Sequence, residues 1–196
     1  MSKVVNFVGL GHINIVVDNI DNGIEFYQTL FGAEPYQIFR DFCNEGFSKA
    51  AGFLDDPKSV KLNIAFMEIP GTKLILELME YINPEGKCKI VDKTVADMAG
   101  VRHVALKVEG IEDAYKHVSQ VEGVRLINSN ENYVPYKIDA IKKDEFMFFD
   151  EALENNEAEK ENVVKIISNT KYFYFIDKYG VQWEFEQGHT DVGNDN

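Results

Sequence analysis

One stretch of this chain occurs twice, and that repetition limits what the chain can fold into more than any other feature. Gly9-Leu10-Gly11-His12-Ile13-Asn14-Ile15-Val16-Val17-Asp18-Asn19-Ile20 returns 91 residues later as Gly100-Val101-Arg102-His103-Val104-Ala105-Leu106-Lys107-Val108-Glu109-Gly110-Ile111. The match runs on past the strand-like segment, because Gly32 and Gly123 each lie twenty residues beyond their histidine. A repeat of this length signals one supersecondary unit used twice. Alternation within the first copy places His12, Asn14 and Val16 on one face of a strand and Ile13, Ile15 and Val17 on the other.

The pattern after each histidine predicts the rest of the unit. Asp18 and Asn19 supply turn and N-cap chemistry, and a helix is expected from about Ile20 to Phe31. Its buried stripe is expected at Ile20, Ile24, Tyr27 and Phe31, with Gly32 as the C′ stop. A second strand is read at Tyr36 to Asp41, then a loop or short helix to Asp56. Val60 to Ile69 and Leu74 to Tyr81 form a hairpin around Pro70-Gly71-Thr72-Lys73. The second copy repeats this order: a strand at Val101, a helix from Ile111 to about Val121 stopped by Gly123, a short strand at Val124 to Ile127, and a closing hairpin of Lys171–Asp177 and Val181–Gln187. The expected architecture is α+β: two βαβββ modules whose curled mixed sheets form a metal-centred cavity. Module one spans 1–85, a linker 86–100 with a helical patch near Thr94 to Met98, module two 101–190, and a tail 191–196.

The modules differ in length. From His12 to Glu77 is 65 residues and from His103 to Glu184 is 81, so module two carries 16 more. The surplus lies in an acidic insertion at about 131–162, read as a solvated helix or loop. Within it Phe146-Met147-Phe148-Phe149 is apolar and is expected to pack against its own module, the alternative being to cover a pocket or a subunit interface.

Four residues carry the chemistry. Each module opens on a strand histidine, His12 or His103. Each closes on a strand with a glutamate among apolar neighbours, Glu77 in Leu76-Glu77-Leu78 and Glu184 in Trp183-Glu184-Phe185. A carboxylate there is unfavourable unless it meets water, a charge or a metal. Glu80 and Glu186 nearby are expected to face solvent, and His117 and His189 to lie on the surface. Two imidazoles and two carboxylates, without sulfur, suit a divalent Ni, Co, Zn, Mn or Fe ion with positions open for substrate. Asn14 shares the His12 face and is a candidate to orient substrate. Lys107 shares the His103 face and is a candidate to meet an anion.

The net charge of −13 argues against nucleic acid and against an anionic membrane surface as partner. Cys43 and Cys88, the two cysteines, form neither a metal spacing nor a disulfide framework. With no apolar leader or membrane-length run, the expectation is a cytoplasmic protein that binds a small molecule.

At these residues the chain resembles the vicinal oxygen chelate superfamily, which includes glyoxalase I, methylmalonyl-CoA epimerase, extradiol dioxygenases and the fosfomycin and bleomycin resistance proteins. Gly11-His12-Ile13-Asn14-Ile15-Val16-Val17 with Phe26-Tyr27-Gln28-Thr29-Leu30-Phe31-Gly32 resembles the opening strand and helix. Leu76-Glu77-Leu78 and Asp177-Lys178-Tyr179-Gly180-Val181-Gln182-Trp183-Glu184 resemble the two module ends. The resemblance implies His12, Glu77, His103 and Glu184 as metal ligands, and an isomerase or lyase working by proton transfer next to a metal-coordinated carbonyl. Glu184 is implied as the first choice of catalytic base and Glu77 as the second. A homodimer is also implied. The extradiol dioxygenases leave the position of Glu77 unused, which favours the glyoxalase I and epimerase branch. Val16 stands where glyoxalase I tends to hold an arginine for the glutathione carboxylate, and the insertion departs from both small enzymes. Iron-dependent ring-cleavage chemistry and small-molecule binding of the antibiotic-resistance kind are the alternatives.

Overall fold

The computed structural model describes residues 10–87 and 101–188. The chain divides into two compact units, Met1–Val91 and Asp92–Asn196. The predicted linker helix near Thr94 to Met98, Cys88, His189 and the tail lie outside the described residues.

Unit one runs β1 (Ile13–Val16), α1 (Ile20–Phe31), β2 (Glu34–Phe42), α2 (Glu45–Ala50), β3 (Lys61–Ile69) and β4 (Leu74–Asn83). Its sheet has the order β1-β4-β3-β2. The first strand pairs with the last in parallel, and the other pairings are antiparallel. Such mixed pairing follows from the path of the chain: α1 carries it across one face, so the last strand lies alongside the first. Ile15 and Val17 are buried, while His12, Asn14 and Val16 point away, as the alternation predicts.

The limits of α1 agree with the sequence reading. Asn19 caps it by accepting from the Asn22 N–H, and Gly32 ends it at φ 64°. The buried face is different. Ile20, Gly23, Phe26, Tyr27 and Leu30 are buried, while Ile24 and Phe31 are only partly covered. Gly23 explains the rotation. A Cβ there would lie 3.1 Å from Val17 Cγ1 and 3.4 Å from Leu78 Cδ1, so the missing side chain lets the helix sit close to the sheet.

Unit two runs β5 (Val104–Lys107), α3 (Ile111–Val118), β6 (Arg125–Leu126), β7 (Tyr136–Lys137), α4 (Glu151–Glu154), α5 (Glu157–Ile167), β8 (Lys171–Ile176) and β9 (Gln182–Gln187). Its sheet has the order β5-β9-β8-β6, with β7 also on β8. Again first and last strands are parallel. The helix α3 ends at Val118 with Ser119 as its cap, earlier than expected, and Gly123 at φ 85° belongs to the turn that follows. The insertion holds β7, α4 and the start of α5. Ion pairs tie it together: Lys160 to Glu154 at 2.6 Å, and Lys143 to Glu157 and Glu161 at 2.6 and 3.1 Å. Phe146 packs on Phe148, with the Lys160 ammonium above it, while Met147 and Phe149 stay exposed.

The two glutamates expected to face solvent do not. Glu186 is buried, and Glu80 accepts from the Ile20 N–H at 3.0 Å and from the Asn63 amide at 2.8 Å. Glu80 thereby satisfies an otherwise unpaired donor at the start of α1. In unit two Gln187 accepts from the Ile111 N–H at 2.8 Å. Each unit thus ties its first helix to the residue three past its glutamate.

The hairpin of β8 and β9 turns on Asp177. This buried carboxylate accepts from the Tyr179 and Val181 N–H groups at 2.9 Å each and from the Trp183 indole at 2.8 Å. Replacing Asp177 with alanine strands those donors, the indole N–H in a fully buried setting. The expected loss is about 3 kcal/mol of stability, read as a lowered urea midpoint with an unchanged slope.

Candidate functional site

The parallel pair in each unit sets the geometry. Asn14 lies opposite Glu77 across β1 and β4, and Ala105 lies opposite Glu184 across β5 and β9. Each histidine is two residues before that position and so on the same face of its strand. A diagonal neighbour at this spacing is within reach of long side chains. His12 Nε2 lies 3.1 Å from Glu77 Oε2, and His103 Nε2 lies 3.0 Å from Glu184 Oε2. The glutamates are 8% and 9% exposed, whereas the imidazoles are partly open to solvent. Each unit therefore brings together the two residues that the sequence paired. Among the described residues, neither unit taken by itself gathers three or more His, Cys, Asp or Glu side chains suited to a metal.

Donor chemistry and spacing both fit a divalent ion. Two donors bound at about 2.1 Å and at right angles to each other are about 3 Å apart. The imidazole nitrogen and carboxylate oxygen of each pair have that separation. A buried carboxylate facing an imidazole is also a hydrogen-bonded pair, so the arrangement is satisfied with or without an ion.

Beyond these four residues the units differ. In unit one the Asn14 amide donates to the Glu77 carboxylate at 3.1 Å and to its main-chain oxygen at 3.2 Å. The proposed substrate-orienting amide is thus directed at Glu77. Across the antiparallel pair, opposite Glu77, stands Phe66, whose ring lies edge-on to His12 with centroids 6.2 Å apart. In unit two the residue opposite Glu184 on the antiparallel side is Tyr174. The two residues are cross-strand neighbours, and the Tyr174 ring lies 5.1 Å from that of His103. Burial, then the neighbouring Glu184 carboxylate, hold this phenol well above the usual tyrosine range, so it stays protonated. Lys107 is exposed at the end of β5, two residues past the position opposite Glu184. His117 is exposed on α3.

Sequence reasoning missed Tyr174 and the tyrosines behind it. Between β6 and β7 no strand pairs with Tyr174. Instead the Tyr133 hydroxyl accepts from the Tyr174 N–H at 2.7 Å and donates to its C=O at 3.3 Å. The Tyr115 hydroxyl in turn donates to the Tyr133 C=O at 2.5 Å. Burial raises the Tyr133 phenol, so it too stays protonated. The signal for Tyr174 was available by folding the last hairpin about Lys178-Tyr179-Gly180 and reading which residue falls opposite Glu184.

Known proteins match this chain in sequence and in fold. The family model described as Glyoxalase/Bleomycin resistance protein/Dioxygenase superfamily matches residues 9–185. A 2-epi-5-epi-valiolone epimerase from Actinomyces sp is 26% identical over 125 residues, which are 63% of this chain and 64% of that protein. The match thus spans less than two thirds of the epimerase. A glyoxalase family protein from Bacillus cereus has a similar structure, with a TM-score of 0.59, 17% identity, and coverage of 95% of this chain and 97% of that one. A genomically encoded fosfomycin resistance protein from Listeria monocytogenes, complexed with Mn(II) and a sulfate ion, gives a TM-score of 0.50 at 15% identity, covering 95% and 98%.

Replacing Tyr133 with phenylalanine leaves the Tyr174 N–H without its partner. The expected cost is about 1–3 kcal/mol, the penalty for an unmet buried donor. Hydrogen exchange should show the Tyr174 amide losing protection while the paired amides of β9 keep theirs.

Proposed function

We propose that this chain, which belongs to the Glyoxalase/Bleomycin resistance protein/Dioxygenase superfamily, is a divalent-metal-dependent isomerase of the epimerase kind, moving a proton at a carbon next to a carbonyl. The observation that carries this reading is the doubled pair: the same imidazole–carboxylate contact on parallel strands of both units, at 3.1 and 3.0 Å. A structural histidine or a solvated glutamate does not require that duplication. The similarity to an epimerase supports the reaction class.

In this reading His12, Glu77, His103 and Glu184 are the ligands, two from each unit, donated within one chain or between two copies in a homodimer. Ni, Co, Zn, Mn and Fe all suit the donor set. A bound ion would supply Lewis-acid polarisation of the substrate carbonyl and so acidify the neighbouring C–H. Glu184 takes the proton from that carbon and returns it, acting as base and then acid, with Glu77 as the second choice. Such proton transfer contributes typically about 10²–10⁴-fold. Both glutamates are buried, with an aromatic residue across the antiparallel pair from each, Phe66 opposite Glu77 and Tyr174 opposite Glu184, and reduced exposure to water strengthens their electrostatic role. Lys107 is the group assigned to an anionic substituent of the substrate.

The test starts from the purified protein. Elemental analysis should find one divalent metal per four-ligand site. Glu184→Gln should abolish turnover of an acyl-CoA epimer, cyclitol or hemithioacetal substrate found by screening, and retain most of the metal. Full activity in that variant removes the role given to Glu184. Oxygen uptake during turnover would replace the isomerase reading with ring-cleavage chemistry. Tight binding of a small molecule with no turnover would replace it with sequestration.

A further inference from the structure

The repeat offset makes the surroundings of the two glutamates directly comparable. Each carboxylate has two flanking positions, one on the parallel neighbour and one on the antiparallel neighbour. In unit one these are Asn14 and Phe66, and in unit two they are Ala105 and Tyr174. The side chains of Phe66 and Ala105 offer no donor. Each glutamate therefore has a donor-bearing side chain at one of these two positions, but on opposite sides: an amide on the parallel strand that donates to Glu77 at 3.1 Å, and a phenol on the antiparallel strand opposite Glu184.

The exchange is coordinated. Without Asn14, Glu77 would face Phe66 and be held by His12 alone, and without Tyr174, Glu184 would face the Ala105 methyl. A carboxylate that gives one lone pair to a ligand position still needs a donor to fix its rotation and to satisfy its other sites. The backbone of Tyr174 is itself held by the Tyr133 hydroxyl at its N–H and C=O, with the Ile127 N–H also donating to that C=O at 3.1 Å. The position of the phenol is thus set by a residue of the insertion that only the second unit carries.

We infer that Tyr174 is the positioning residue of Glu184, the counterpart of Asn14 at Glu77, and that this exchange of donors makes the two carboxylates of the repeat chemically unequal. The inference rests on the metal-ligand reading above. The amide of Asn14 donates a hydrogen bond and holds its glutamate still. The hydroxyl of Tyr174 stands on the antiparallel side of Glu184, where Glu77 has only the ring of Phe66.

The test is Co²⁺ loading of the full chain, with affinity read by chelator competition and site geometry read from the visible d–d bands. Tyr174→Phe should weaken Co²⁺ by about 10–100-fold, the usual effect of removing a ligand's hydrogen-bond partner, and shift the bands. Because the Tyr133 hydroxyl bonds to the backbone of Tyr174, this variant keeps those hydrogen bonds and the strand pairing. Adding Ala105→Asn to it installs the arrangement of unit one and should recover most of the affinity. In the first unit, Asn14→Ala should weaken binding similarly, and adding Phe66→Tyr should restore it, which keeps the idea testable if Tyr174→Phe fails to fold. Wild-type affinity and unshifted bands in Tyr174→Phe, or in Asn14→Ala, would overturn the inference and leave the metal reading intact. No Co²⁺ uptake by the wild-type protein would overturn the metal reading itself, and this assignment with it.

Discussion

The imidazole–carboxylate pairs of the candidate site follow from parallel pairing between the first and last strands of each unit. That pairing puts position 14 beside 77 and position 105 beside 184. Because side chains alternate along a strand, it also puts each histidine on the same face as its glutamate. A slip of one residue would turn each glutamate to the opposite face and separate it from its imidazole. The register is held from two directions. The apolar residues flanking the glutamates are buried, and the residue three past each glutamate accepts a hydrogen bond from the start of the first helix. Glu80 and Gln187 serve this purpose with different functional groups, a carboxyl and an amide, since each needs only an oxygen acceptor for one N–H.

Much of this was legible in the chain itself, and the reasons are particular. The repeated histidine strand announced two units of one kind. Gly32 marked the end of α1, and Pro70-Gly71 marked a hairpin whose strands lie close to their expected limits. The face of α1 was harder to see. An apolar count favours Ile24 and Phe31, but what decides the docking is where the helix can come closest to the sheet, and Gly23 marks that point. Ser119 capped α3 before Gly123 was reached, because a helix end depends on local hydrogen bonding as well as on the next glycine.

The pairing of His12 with Glu77 and of His103 with Glu184 could be anticipated because duplication set those residues apart. Their partners could not. Asn14 was visible as a neighbour of His12, but its direction toward Glu77 depends on strand register. Tyr174 lies in an aromatic strand where five of six residues are apolar or aromatic, and nothing local distinguishes it from Tyr172. Only the cross-strand position opposite Glu184 does so. Cross-strand relations of this kind are long-range in sequence, so composition and periodicity carry little of them. The same holds for Glu80 and Glu186, whose charge suggested solvent and whose strands place them elsewhere.

The position of Trp183 has a practical consequence. It is the single tryptophan of the chain, fully buried, adjacent to Glu184 and paired with Val104, the neighbour of His103. Its indole is anchored to Asp177, so its surroundings are well defined. The molecule therefore carries an intrinsic fluorophore beside one of its imidazole–carboxylate pairs, and emission reports on that neighbourhood alone. Paramagnetic quenching or a spectral shift on adding a ligand can be followed without a label, and the signal belongs to the second unit rather than to the first.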